Sequence, residues 1–303
     1  MTTAAWTTFR GEPAVRLRAG ATSAVFLPSL GLTGVSLRHR GREHLALPGG
    51  LDALRSGGTG GLPLLAPWAN RLGARRYRAA GVDVDLAGLR LKRDDQGLPI
   101  HGLLCGRSRW EVTALDARAA AAVMRASIDV DHPAFPFPHR LDVTARLGEG
   151  ALRVDTALTP TGRRRVPVAF GWHPYLRVPG SRRSTWRLEL PARTHLELDG
   201  RGLPTGTEAA ERAEAERIGR RTFDDLYVGP SRGRWALSSD DGRRVELRPG
   251  TGYGFAQVWV PPGRRFAALE PMTVPTDALG RGGAPLVSPG ETFVASFTLV
   301  VAP

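Results

Sequence analysis

The chain holds one cysteine, Cys105. No internal disulfide can form, which excludes a disulfide-stapled scaffold and fits a reducing, cytoplasmic setting. No stretch approaches the ~18 consecutive apolar residues that a membrane-crossing helix needs. The start, Met1 to Arg10, lacks the basic residues and apolar run of a secretory leader. A membrane partner is therefore not expected. Lysine and asparagine are almost missing: Lys92 and Asn70 stand alone. Nearly all of the 42 Lys and Arg residues are thus arginine, in a chain rich in Ala, Gly and Pro. That pattern reads as biased coding, so the net charge of +13 says little about an acidic partner. The arginine clusters are short, among them Arg75-Arg76, Arg182-Arg183 and Arg264-Arg265, and most adjoin Gly, Pro or Ser, where turns are expected. A nucleic-acid binder would gather them on one face, and none is expected here.

Helical pattern is scarce as well. The best candidate is Thr207 to Ile218, polar almost all round, which predicts a surface helix or a mobile connection. Ala117 to Ala122 reads as a loop between strands. What is present is a period of two. Leu141, Val143, Ala145 and Leu147 alternate, Gly148-Glu149-Gly150 turns the chain, and Leu152, Val154, Thr156 and Leu158 alternate on the return. This predicts a hairpin. Similar runs recur at Trp110 to Thr113, Arg243 to Leu247, Phe255 to Val260, Phe266 to Leu269 and Glu291 to Val301. The 37 glycines and 24 prolines punctuate them. With 303 residues, 42% of them hydrophobic, the chain can bury a sizeable core. The expectation is a mainly β protein, one large antiparallel sandwich over residues 1–303, with a monomer as the default state.

Two familiar chemistries are not expected. Gly57 to Gly61 is glycine-rich, but no Gly-Lys-Ser/Thr follows and Pro63 and Pro67 oppose a helix, so nucleotide binding is not expected. His132 and His139 flank a proline-rich stretch, and His101 and Cys105 lie four apart without a second set, so no metal is expected. Four segments remain: Pro67-Trp-Ala-Asn-Arg-Leu72, Leu98-Pro-Ile-His-Gly-Leu103, Phe170-Gly-Trp-His-Pro-Tyr-Leu176 and Ala268-Leu-Glu-Pro-Met-Thr-Val-Pro275. Taken singly, each has an ordinary explanation: a hydrogen-bonded loop His, a solvated strand-end Glu, a packed Arg–Trp pair.

Taken in order, together with Phe223-Asp-Asp-Leu-Tyr227, they resemble the aldose 1-epimerases (galactose mutarotases), and most nearly the bacterial members with a His-Pro-Tyr loop. The resemblance runs from about Gly31 to the C-terminus. It implies a galactose mutarotase-like β-sandwich with a sugar cleft, and interconversion of the α and β anomers of a free aldohexose. It also implies that His173 is the acid on the ring oxygen, and that Glu270 is the base on the anomeric hydroxyl. Glu270 would then be ionised at rest, held so by a neighbouring charge or donor. Arg71, His101 and Asp224 match substrate-contacting positions, with Asp225 an alternative to Asp224. Trp68, Trp172 or Trp259 would offer a ring to the sugar, with core packing expected for at least two of them. The chemistry calls for one acid and one base across the anomeric carbon, and for no cofactor. The chain departs from the family pattern at Leu103, where a second glycine often stands, and in the Glu/Ala/Arg segment before Asp224. Arg71 with Arg75 and Arg76 would also suit a phosphate, so a hexose-6-phosphate 1-epimerase is a rival reading. A non-catalytic carbohydrate-binding protein on the same fold is another.

Overall fold

A computed structural model describes residues 1–106, 108–118, 120–229 and 233–302. The period of two is realised as antiparallel sheet. One nine-stranded sheet runs, edge to edge, through Glu214–Arg217, Trp186–Leu190, Trp235–Ser239, Arg244–Pro249, Phe293–Ala302, Ala151–Pro160, Phe135–Gly148, Ala121–His132 and Glu111–Arg118. A second sheet runs through Pro204–Glu211, Arg193–Leu198, Phe223–Val228, Phe255–Val260, Ala267–Met272, Gly171–Trp172 and Leu64–Leu65, and Tyr175–Leu176 also pairs with Ala267–Met272. A third, of five strands, is built from the first part of the chain, Thr2–Phe9 to Arg42–Glu43.

The predicted hairpin forms with Arg140 opposite Thr159 and Gly148 opposite Ala151. Its alternating residues, Leu141, Val143, Ala145 and Leu147 against Leu158, Thr156, Val154 and Leu152, are all buried. Fully burying a Leu or Val side chain contributes ~1.5–3 kcal/mol, and a one-residue slip would turn this whole row to solvent. The row joins one continuous core with Val15, Leu17 and Phe26 of the five-stranded sheet and Tyr227, Val258 and Leu269 of the second sheet. The expected sandwich is therefore what the sequence builds. The other face of the second sheet carries a smaller apolar floor of Leu65, Ala69, Cys105, Leu196, Leu226 and Met272. The site stands on that face.

The predicted helix at Thr207 to Ile218 is absent. Pro204–Glu211 is the edge strand of the second sheet and Glu214–Arg217 is the edge strand of the nine-stranded sheet. A helix polar all round has no stripe to bury, whereas an edge strand needs only a neighbour's backbone. The glutamates that favoured helix are used otherwise: buried Arg193 reaches Glu211 at 2.5 Å and Glu214 at 2.8 Å. Among the described residues the one α-helix is Gly50–Arg55, which the sequence pattern did not mark. Ala117 to Ala122 is the tight end of a hairpin, with Arg118 opposite Ala121; Ala119 lies outside the described residues.

Candidate active site

Three loops and the strands Phe223–Val228, Phe255–Val260 and Ala267–Met272 converge on the second sheet's free face. Gly171–Trp172 pairs with Leu64–Leu65 on one side and meets Met272 on the other. Gly171 is forced by that crossing: a Cβ there would stand 2.9 Å from the Pro271 carbonyl oxygen and 3.0 Å from Ala69. Just beyond it, the His173 amide donates to the Pro63 carbonyl at 3.0 Å, which fixes the backbone at the turn into Pro174. Glu270 is delivered by the strand Ala267–Met272, opposite Gln257.

The Pro67-to-Leu72 loop is stitched to both neighbours. Ala69 N–H donates to the Ala169 carbonyl at 2.7 Å, and Leu72 N–H to the Pro99 carbonyl at 2.9 Å. At its centre Asn70 adopts φ 54°, a left-handed conformation that Asn tolerates better than most residues. Its backbone carbonyl accepts from the His101 amide at 2.9 Å, and its Oδ1 accepts from Arg71 at 3.0 Å. The chain's only asparagine therefore holds two candidate sugar contacts in register. His101 is itself at φ 64°. Gly102, at φ +65°, passes so close to the Ala66 carbonyl that an added Cβ would lie 2.2 Å from its oxygen.

His173 and Glu270 meet. His173 Nε2 is 3.1 Å from Glu270 Oε1, and their side chains are 5% and 3% exposed. Tyr175 stacks on the His173 ring at 4.5 Å, held by its hydroxyl's 2.6 Å hydrogen bond with Thr59. His101 and Trp259 meet that ring edge-on at 5.5 and 5.7 Å. Trp259 is thus the indole beside the pair and is partly exposed, whereas Trp68 and Trp172 are core residues. Alternation and register put Asp224 and Gln257 on the same face as Glu270. Gln257 Nε2 donates to Asp224 Oδ1 at 2.7 Å. Asp225, on the other side of its strand, instead lies 3.5 Å from His195. Arg71 donates to Asp94 at 2.8 Å and reaches to within 3.9 Å of Asp224. Arg76 is tied to Asp85 in a separate hairpin, and neither it nor Arg75 lines the cavities beside the pair. The arginine trio expected from the sequence does not assemble.

The electrostatics run against the expectation of a resting carboxylate. Burial first, and then the charge of Asp224, raise Glu270 well above the usual carboxylate range; Arg71 pulls the other way and is outweighed. Burial first, and then Lys92, push His173 below the usual imidazole range. Both shifts favour uncharged partners, so the pair holds one proton and burial places it on the carboxyl. His101 is likewise lowered well below its ordinary value, chiefly by burial. Two cavities are bounded by the pair's neighbours, with neither His173 nor Glu270 in their lining. One, a cavity of about 380 Å³, is bounded by Arg71, His195, Glu197, Asp199 and both Asp224 and Asp225. The other, of about 280 Å³, begins at His101.

The family model for aldose 1-epimerase matches residues 13–299. The chain belongs to the aldose 1-epimerase family. No curated protein matches it at a significant level. Its fold is shared with a galactose mutarotase-like protein of Clostridium acetobutylicum, at 19% identity over 99% of this chain and 98% of that one, with TM-score 0.86. It is shared too with a galactose 1-epimerase of Lactobacillus acidophilus NCFM, at 15% identity over 100% and 98%, TM-score 0.78. A putative aldose 1-epimerase of Escherichia coli K12 matches at 17% identity over 95% and 98%, TM-score 0.75. The fold and family read from the sequence are therefore those of the chain, and family membership gives it a carbohydrate-epimerase role. Sequence reasoning missed Asp94 and Gln257, and gave Tyr175 no role beyond its place in the His-Pro-Tyr motif. Gln257 had a signal, a lone amide inside the apolar strand Phe255–Val260. Asp94 had none, because it lies in a loop without pattern.

Proposed function

We propose that this epimerase interconverts the α and β anomers of an aldohexose, with His173 and Glu270 as its proton-transferring pair. The 3.1 Å approach of two buried, oppositely shifted titratable groups carries the reading. A proton crossing from Glu270 to His173 creates carboxylate and imidazolium. The carboxylate takes the proton of the anomeric hydroxyl, the carbonyl forms, the bond from C1 to the ring oxygen breaks, and the imidazolium protonates that oxygen. The open-chain aldehyde then faces the neutral pair, which burial favours. After rotation about C1–C2, the ring hydroxyl attacks the other carbonyl face, His173 takes its proton and Glu270 returns one to the new anomeric oxygen. Each positioned transfer supplies ~10²–10⁴-fold. Arg71, His101 and Asp224 supply donors and acceptors for the remaining hydroxyls, and Trp259 a ring for an apolar sugar face.

Polarimetry and saturation-transfer NMR on fresh α-glucose and α-galactose test this. The expected result is relaxation well above the buffer rate, lost in Glu270→Gln. Calorimetric binding without any acceleration would instead establish a sugar-binding protein on the same scaffold.

A further inference from the structure

The cavity that begins at His101 differs in kind from the one beside Asp224. Its charged lining comes from Arg90 and Lys92, with His101, His132 and Ser56 as further polar groups, and among the described residues no carboxylate borders it. Among the described residues neither Lys92 nor Arg90 forms an ion pair or a side-chain hydrogen bond. Lys92 is half-buried, and an ammonium drawn out of water with no counter-charge is costly. His132 accepts the Ala134 amide proton on Nδ1 at 3.0 Å. Its proton therefore sits on Nε2, a donor.

We infer that this compartment seats an anionic substituent of the sugar, a phosphate ester or a carboxylate, between Lys92, Arg90 and His132, while the anomeric carbon lies at the His173–Glu270 pair. The inference rests on the ring-opening reading of that pair and adds the charge class of the substrate. Position supports it: His101 lines the compartment and touches the His173 ring, so the two places are one side chain apart. Composition supports it too. Arginine fills every other Lys/Arg position of the chain, yet the single lysine stands here. A compact ammonium with three rotatable donors leaves room for an oxyanion in a small cavity that a guanidinium fork would fill. Burial lowers the Lys92 pKa, and a bound anion would raise it again. The other cavity mixes Asp224, Asp225, Glu197 and Asp199 with Arg71 and Arg201, a lining suited to neutral hydroxyls.

The test compares anomer exchange of glucose, glucose 6-phosphate and glucuronate on the full chain by saturation-transfer NMR. At least one anionic sugar is expected to show kcat/KM about tenfold or more above glucose, the worth of one charge-assisted contact. That advantage should shrink as added salt shortens the Debye length. Inorganic phosphate should compete with glucose 6-phosphate. Lys92→Met and the exposed Arg90→Gln should each reduce the anionic-to-neutral ratio by about tenfold, and Arg90→Gln serves if Lys92→Met folds poorly. Equal, salt-independent kcat/KM for the three sugars overturns the compartment and leaves the epimerase intact. No acceleration of any of them overturns the ring-opening reading, and the compartment falls with it.

Discussion

Gln257 donates its side-chain amide to Asp224 at 2.7 Å while standing directly opposite Glu270 in the neighbouring strand. The amide is 1% exposed, whereas the Asp224 carboxylate that accepts from it is about half exposed and open to the cleft. Gln257 orients the acid that the family pattern assigns to substrate hydroxyls, and it acts through that acid. Gln257→Leu keeps the volume and removes the donor. A hydrogen bond to a charged group contributes ~1.5–3 kcal/mol. KM for the sugar should therefore rise about tenfold, with kcat changed much less. Saturation kinetics separate the two, and an unchanged KM would remove Gln257 from the site.

His173 and Glu270 share one proton, and that makes their contributions inseparable. Glu270→Gln or His173→Asn each leaves a partner with nothing to exchange. Each should cost ~10²–10⁴ in kcat, and the double variant should cost no more than the worse single one. Additive losses in a double-mutant cycle would mean the two side chains act in separate steps.

The pH profile follows from the same proton. Glu270 is raised by burial and by Asp224, and His173 is lowered by burial and by Lys92. The one-proton pair therefore persists from below the ordinary imidazole range up to Glu270's raised value. As pH rises through that value the carboxyl loses the shared proton, no acid remains for the ring oxygen, and kcat/KM falls. Polarimetry corrected for the buffer rate should show a level neutral region and an alkaline decline. Asp224→Asn removes one upward cause and should move the decline to lower pH.

The legibility of this chain in its sequence divides along physical lines. The sheet at residues 140–158 was readable because burial on one face writes a period of two directly into Leu141 to Leu158. His173 and Glu270 were readable only as parts of an ordered set of motifs, since neither sits in a pattern that betrays its partner. The Thr207 to Ile218 stretch misled because charge spacing along a chain looks the same whether Glu211 and Glu214 face helix neighbours or a buried arginine from another strand. Lys92 was visible as a compositional oddity, but its unpaired state and its cavity exist only once residues distant in sequence close around it.

Gly102 sets the distance between the His101 loop and the Ala66 carbonyl. A methyl group there meets backbone at 2.2 Å and leaves φ at +65°, which disfavours any L side chain. The Leu103 and Leu104 amides both donate to that same carbonyl, at 2.7 and 3.2 Å, so the loop has no room to retreat. Gly102→Ala should destabilise the fold by ~1–3 kcal/mol and cut activity through displacement of His101. Urea unfolding gives the first quantity and NMR exchange the second. Wild-type values for both would show that the loop yields more readily than its hydrogen bonds imply.

Acid should loosen the molecule before its surface carboxylates titrate, because several imidazoles are buried neutral. His44 is held down to about 4, chiefly by burial and then by the charges of His39, Arg177 and Arg42. His139, wholly buried against Phe135, is also lowered by burial. A folded-state value below the unfolded one means that the unfolded chain binds more protons, so stability falls as pH drops. The window opens near the ordinary imidazole value of ~6.5 and closes for His44 at about 4. His44 alone accounts for on the order of 3 kcal/mol across it. Tm should decline steadily through that window, and His139→Phe, if it folds, should flatten the slope. A Tm that holds level until carboxylates begin to protonate would mean that the imidazolium forms find acceptors or water in the fold.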